Sequence, residues 1–303
     1  MFRRDGPDSL SQYAREAYSL TRDVKASTLR QYVIAADLFE RWAGAPVLLD
    51  QIDERSVSAW LRDYATTHKP DTVRSKRNSI LALWRAASDD GLAENPIGRR
   101  VRRCTVPEPI VVAWTKGEVE QLLATAATLP RRHPCGLRRS EWWTLAIRVA
   151  WDSGLRWADQ IEIPVSAVRP DGWVTVRQSK TGKAATFQFS PSTMEALRVS
   201  LEHCPRALVI PWTVSGETFR DQVTRLVAKA KVREGTWKWI RRGSGSDVEL
   251  QARGAGHQHL GNTPRVFERS YGDKSIIGRA IPSPRELVVE AFRRERQLGL
   301  FGD

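Results

Sequence analysis

The chain has 303 residues, with 48 Lys and Arg against 35 Asp and Glu, a formal net charge of +13 and 41% hydrophobic residues. That length suggests two domains at ~100–200 residues each, the apolar share suffices for packed cores, and the basic surplus points to a polyanionic partner, nucleic acid by default, over a merely basic soluble protein. Cys104, Cys135 and Cys204 are scattered and odd in number, which indicates neither a disulfide framework nor a zinc cluster and fits a reducing cytoplasm; no apolar run approaches the ~18 residues of a membrane span, and MFRRDGPDSL lacks a signal-peptide core.

The first part of the chain reads as helices. Ser27 can cap STLRQYVIAADLFERWAG, with Leu29, Val33, Ala36 and Phe39 on one face. Asp53 can cap DERSVSAWLRDY, and Asp71 can open DTVRSKRNSILALWRAASDDG, whose apolar stripe is Ile80, Leu83 and Trp84. Arg74, Lys76 and Arg77 at the start of that helix read alone as a solvated face, with a DNA contact as the alternative. NPIGRRVRRCTVPEPIVVAW over 95–114 combines prolines with Arg99, Arg100, Arg102 and Arg103. It reads as an extended linker that either tracks a phosphate backbone or merely solubilises the chain.

A second domain begins at Thr115, where TKGE forms a capping box. Ser140 opens a helix that Gly154 ends. Residues 172–190 hold two β-rich runs around Thr181-Gly182, the signal of a tight hairpin, and further helices follow in PSTMEALRVSLEHC and GETFRDQVTRLVAKAKV. Along this stretch, candidate groups for phosphate chemistry come in order. GLRWAD carries Arg156 and Asp159, SKTGK carries Lys180 and Lys183, KWIRR puts Lys238 and Arg241 on one helix face, and LGNTPRVFERSY runs from Asn262 to Tyr271, nine positions on. Trp237 and Trp239 beside Lys238 read as packing residues rather than base-stacking ones.

This series resembles the tyrosine recombinase (phage integrase) family. SGLRWAD is similar to its first box, KTGK to its hairpin lysine stretch, Lys238 and Arg241 to its second box, and LGN with Tyr271 to its third; GLAENPIG resembles the close of its core-binding domain. The resemblance spans roughly residues 20–278 and implies a mainly α fold with a small β-hairpin (α+β). The shape it implies is a two-domain, C-shaped DNA clamp: a helical SAM-like core-binding domain at 1–105, a linker at 106–114, a catalytic domain at 115–278 and a tail at 279–303. It implies that Tyr271 attacks DNA phosphorus to leave a 3′-phosphotyrosyl protein. Arg156 and Arg241 would grip the non-bridging oxygens, Lys180 (Lys183 being its competitor) would protonate the departing 5′ oxygen, and Lys238 would serve the phosphate or the Tyr proton. No metal and no cofactor is expected. Double-stranded DNA is the implied partner, bound by a homotetramer on paired sites, with a monomer when free, in the bacterial cytoplasm at the nucleoid.

The chain departs from the family pattern in places. Lys238 stands where most relatives have His, Asp159 where Glu is usual, and Asn262 where His or Trp is usual; an amide donates a hydrogen bond but carries no proton. His257 and His259 just upstream read either as compensating groups or as surface and packing residues. The tail carries an apolar face, Leu287, Val288, Ala291 and Phe292, suited to docking on a neighbouring protomer. It also carries QLGLF, in which Gln297, Leu298, Leu300 and Phe301 are similar to a sliding-clamp-binding peptide. The rival readings are a non-catalytic integrase-like DNA-binding regulator or architectural protein, and a topoisomerase-like enzyme using the same chemistry.

Overall fold

The computed structural model describes residues 8–278. The tail features named above, both its apolar face and Gln297, Leu298, Leu300 and Phe301, lie outside the described residues. The chain divides into two units, one ending at Glu108 and the other beginning at Pro109.

The first unit is helical: α1 (Leu10–Glu16), α2 (Tyr18–Thr21), α3 (Ala26–Ala43), α4 (Glu54–Tyr64) and α5 (Pro70–Asp89). Asp53 caps α4 as its sequence suggests, accepting the N–H groups of Arg55 at 2.7 Å and Ser56 at 3.0 Å. Two expected caps differ. Helix α3 starts one residue before Ser27, which makes no cap, and α5 starts at Pro70 with Asp71 in its first turn. Proline has no N–H to satisfy and a preset φ, so it takes the first helical position. Ala36, Phe39, Trp60, Ile80, Leu83 and Trp84 are buried together, the larger of them contributing roughly 1.5–3 kcal/mol each.

The stretch expected to be an extended linker is partly folded onto this unit. Arg77 donates to the carbonyls of Gly98 at 2.6 Å, Arg102 at 2.9 Å and Val101 at 3.3 Å. The Ile97 N–H bonds Glu54 at 2.8 Å and the Arg102 N–H bonds Ser58 at 2.9 Å, while Val101 is buried. A chain whose backbone groups find such partners packs despite its prolines.

The second unit holds α6 (Lys116–Ala127), α7 (Arg139–Ser153), α8 (Trp157–Gln160), β1 (Trp173–Arg177), β2 (Ala184–Gln188), α9 (Pro191–His203), α10 (Gly216–Ala230), α11 (Lys238–Gln251), α12 (Gly256–His259), α13 (Pro264–Ser270) and α14 (Lys274–Ile277). The Thr115–Glu118 capping box opens α6. Helix α7 begins just ahead of Ser140 and ends where Gly154 turns left-handed at φ 55°. Strands β1 and β2 pair antiparallel, Trp173 opposite Gln188 and Arg177 opposite Ala184. The Gln178 N–H bonds the Lys183 carbonyl and the Gly182 N–H the Gln178 carbonyl, both at 2.8 Å, so the connection over 178–183 is a four-residue hairpin turn, 179–182, that contains Thr181-Gly182 and carries Lys180, with Lys183 at its end. Trp142, Trp143, Phe219 and Trp237 belong to one buried core. Among the described residues the architecture is mainly helical with one two-stranded sheet.

Candidate active site

Helix α11 sets the site because two of its glycines admit close neighbours. A Cβ at Gly243 would overlap the Trp114 carbonyl, and one at Gly245 would stand 2.7 Å from the Leu260 side chain. Their absence lets residue 114 lie against one part of α11 and α12–α13 against another. Thr263 caps α13 with Pro264 in its first turn, and the helix ends at Tyr271.

Tyr271 is buried, 9% exposed, and the α11 cations face it. The Arg241 guanidinium carbon lies 4.9 Å from the ring centroid and the Lys238 ammonium 5.1 Å from it, within cation–π range. Burial pushes the phenol up, but the charges of Arg241, Lys238 and Arg156 outweigh it and hold Tyr271 below the ordinary tyrosine value. Lys238, exposed as a whole residue, is likewise held below the usual lysine range, first by desolvation of its ammonium against the site and then by Arg242, with Arg241 and Lys180 adding to it and Tyr271 opposing. Arg241 is 3% exposed and fixed by the carbonyls of Gly154 and, at 2.8 Å, Leu260. Burial foremost lowers it to about 10, and its Nε has no partner among the described residues.

Arg156 follows the left-handed Gly154, and its Nη1 donates to Gln178 at 2.9 Å. Asp159, three positions on, lies 4.0 Å from it. Its nearer bonds are to Ser179, whose N–H and hydroxyl donate at 2.7 and 2.6 Å. Asp159 therefore ties the first box to the root of the loop that carries Lys180. Lys180 and Lys183 are both exposed, and the Lys180 charge is felt at Lys238.

Asn262 is half-buried; its backbone N–H bonds the His257 carbonyl at 2.9 Å, and its buried Nδ2 has no partner among the described residues. His259 is a packing residue, its Nε2 2.7 Å from the Ser244 hydroxyl. Burial, then Arg241, push its pKa down to about 4, so it is neutral at physiological pH. His257 lines a groove with Phe267 and Ile277. In the first unit, Arg74 is exposed and paired with Asp71 at 2.5 Å, Lys76 is 8% exposed, and Arg77 is spent on carbonyls. Arg99, Arg100, Arg102 and Arg103 are exposed. Trp237 and Trp239 pack inward: Trp237 donates to Gln160 at 2.9 Å and Trp239 meets Trp114 edge-on at 5.8 Å. Among the described residues no group of His, Cys, Asp and Glu is placed to hold a metal ion, and no helix is long and apolar enough to cross a membrane.

The sequence reading missed Gln178, Arg242 and Asp273. Gln178 is 2% exposed and orients Arg156 directly. Its adjacency to SKTGK was the available signal, as the Arg241-Arg242 doublet was for Arg242. Asp273 carried none beyond its place after Tyr271.

Solved structures share this arrangement of chain. A lambda integrase dimer bound to a COC′ core site superposes with a TM-score of 0.71 at 20% identity, covering 88% of this chain and 94% of that one. The chain carries the tyrosine recombinase fold. XerH, in a post-cleavage complex with palindromic difH, gives a TM-score of 0.65 at 13% identity, covering 97% of this chain and 85% of that one. The Tn1549 transposon integrase with circular-intermediate DNA gives 0.63 at 13% identity over 90% of this chain and 99% of that one. In sequence the chain is similar to the tyrosine recombinase XerD of Caulobacter vibrioides, 24% identical over 161 residues, 53% of this chain. That match spans about half the length of the curated relative, 51%. No family model matches the chain.

Proposed function

We propose that the protein is a tyrosine recombinase that cuts and rejoins DNA strands at specific sites, serving a phage or mobile element. The observation that carries this reading is Tyr271 buried among Arg241, Lys238 and Arg156. A structural tyrosine would gain at most cation–π contacts from Arg241 and Lys238; charges that hold its phenol below the ordinary tyrosine value serve a nucleophile, which needs its phenolate stabilised.

The Tyr271 oxygen forms a bond to phosphorus and the bond from phosphorus to the 5′ oxygen breaks. Lys238, its pKa depressed, accepts the phenolic proton. Lys180, on the 178–183 loop, supplies a proton to the departing 5′ oxygen. Arg156 and Arg241 bear the charge that builds on the non-bridging oxygens, and Arg241 Nε and Asn262 Nδ2 have no acceptor among the described residues. The phosphotyrosyl bond stores the energy of the broken strand, so attack by a 5′ hydroxyl reseals DNA without an external energy source.

The +13 charge suits duplex DNA as partner. The lambda integrase neighbours include a dimer on a core site and a tetramer on a Holliday junction, which supports a multimer on paired sites for this chain. Arg74, Lys76, Arg77, Arg99, Arg100, Arg102 and Arg103 are proposed to serve DNA binding by the helical domain, Arg77 by shaping the 97–102 stretch. The domain limits proposed are 1–105, 106–114, 115–278 and 279–303, with the QLGLF tail a candidate peptide for a sliding clamp.

The test is covalent trapping. Nicked suicide duplexes from a randomised library are incubated with the protein and denatured in SDS. A DNA-shifted band lost in Tyr271→Phe is expected, and sequencing the trapped DNA gives the site. Salt-sensitive binding with no band in wild type would favour the DNA-binding regulator, the rival that Asn262 most supports.

A further inference from the structure

Tyr271 does not belong to the main core of its unit. It sits in a small cluster with Leu260 and Phe267, beside Ile277, and at the end of the seven-residue helix α13. So short a helix does not fix a side chain by itself. Besides its packing on Leu260 and Phe267 and a 3.4 Å bond from the Ser246 hydroxyl to its carbonyl, its backbone neighbours are tied to residues 112–114 and to α11.

Arg242, next to Arg241 on α11, points its guanidinium at backbone rather than at the phenol. Its Nε donates to the Ser270 carbonyl at 3.1 Å and its Nη1 to the Val112 carbonyl at 3.0 Å. On the other side of Tyr271, the buried Asp273 accepts the Ala113 N–H at 2.8 Å, and its own N–H donates to Ser246 of α11 at 2.9 Å. Its second oxygen accepts the Ser275 N–H and hydroxyl at 2.8 and 2.6 Å. Residues 112–114 are themselves held. Arg233 donates to the Ala113 carbonyl at 2.6 Å and pairs with Glu118; Trp114 is fully buried and donates to the Arg233 carbonyl at 2.8 Å.

The geometry points to Arg242 and Asp273 as positioning residues that lace the Tyr271 segment, from both sides, onto the splint formed by residues 112–114. This rests on the recombinase reading above. Both side chains spend their hydrogen bonds on the protein's own backbone and hydroxyl groups. Arg242 also lowers Lys238 through its charge, a charge that Arg242→Lys keeps; the positioning effect is on where the phenol oxygen sits, and an in-line attack tolerates little error: a misplacement of about 1 Å costs on the order of 10²-fold in rate. One helix then serves the nucleophile twice, Arg241 stabilising its charge and Arg242 its position.

The experiment compares Arg242→Ala, Asp273→Ala and the double variant with wild type, each checked for an unchanged thermal transition of the full chain. Amide hydrogen exchange in the DNA-free protein is expected to quicken by about tenfold or more over 264–277, with α7 unchanged. On a suicide duplex at saturating DNA, single-turnover adduct formation falls by about 30- to 100-fold while DNA affinity stays within about threefold. Because both residues hold one segment, the double variant loses far less than the product of the single losses, whereas Arg242→Ala combined with Lys180→Ala multiplies. Arg242→Lys, which reaches one carbonyl but not both, recovers part of the rate.

Unchanged exchange over 264–277 would overturn the lacing whatever the activity. Quickened exchange with wild-type cleavage, or a loss confined to DNA affinity, would overturn the positioning role. A wild-type protein that forms no adduct would remove the recombinase reading and the catalytic half of this proposal, leaving the exchange result to judge the lacing alone.

Discussion

Arg241 stands with its guanidinium carbon 4.9 Å from the Tyr271 ring centroid while its two terminal nitrogens are spent on the Gly154 and Leu260 carbonyls. The cation therefore does not follow the phenol; it is fixed in advance, and the phenol is brought to it. A charge that needs no reorganisation during reaction is worth most in a buried site.

Substitution of Arg241 separates charge from geometry. Lysine keeps the cation but cannot span both carbonyls. Arg241→Lys is expected to slow adduct formation by about 10²–10³-fold, the usual cost of losing one preorganised donor, with DNA affinity changed only a few-fold. Single-turnover cleavage and gel-shift titration check this.

Lys238 makes a pH prediction. A lysine whose pKa is lowered becomes a competent base at lower pH, so cleavage rises with pH along a limb centred below 10.5, the ordinary lysine value. Lys238→Arg never deprotonates, so it is expected to lose that limb and to cleave about 10-fold or more slowly at pH 8. A cleavage–pH profile of both proteins settles the point.

The Asp159–Ser179 tie predicts a defect in the leaving-group proton. Asp159→Ala frees the root of the 178–183 loop and misplaces Lys180. A duplex with sulfur in place of the bridging 5′ oxygen has a leaving group near the thiol pKa of about 8.5, which departs without a proton. Cleavage of the ordinary duplex is expected to fall about 10²-fold in Asp159→Ala and in Lys180→Ala. Both should recover on the sulfur substrate, where Arg156→Ala should not.

Two buried histidines predict acid sensitivity. Burial, aided by neighbouring arginines, holds His133 and His259 at about 4, below the ordinary value of 6.5 they regain on unfolding. Protonation then favours the unfolded chain, so stability is full above 6.5 and falls as pH drops toward 4. At pH 5 the loss is about 2 kcal/mol per histidine. Denaturant titration at pH 7 and pH 5 is expected to show it, with His259→Gln removing about half of the histidine share.

Much of the fold, and the order of the candidate site residues, was legible in the sequence, for identifiable reasons. The Asp53 cap, the Thr115–Glu118 box and the Gly154 stop are local, and local chemistry survives folding. The order from Arg156 to Tyr271 was legible because its motifs come at the spacings of the family the sequence resembles. The linker was misread because Pro and Arg suggest solvent, while Arg77, more than twenty positions away, gathers its carbonyls. The stretch Gly243-Ser244-Gly245-Ser246 has the composition of a flexible connection yet lies inside α11, because Trp114 and Leu260 press against it. Asp273 was invisible for the same reason: its partner Ala113 lies 160 positions away. Periodicity does not report such contacts.

The most direct measurement is to locate the covalent bond. The wild-type adduct on a suicide duplex would be trimmed with nuclease, digested with protease and read by mass spectrometry. The expected result is one peptide containing Tyr271 that carries a nucleotide through its 3′ phosphate, absent from Tyr271→Phe. A nucleotide on any other residue, or DNA cleaved with no adduct at all, would contradict the assignment of Tyr271 as the nucleophile.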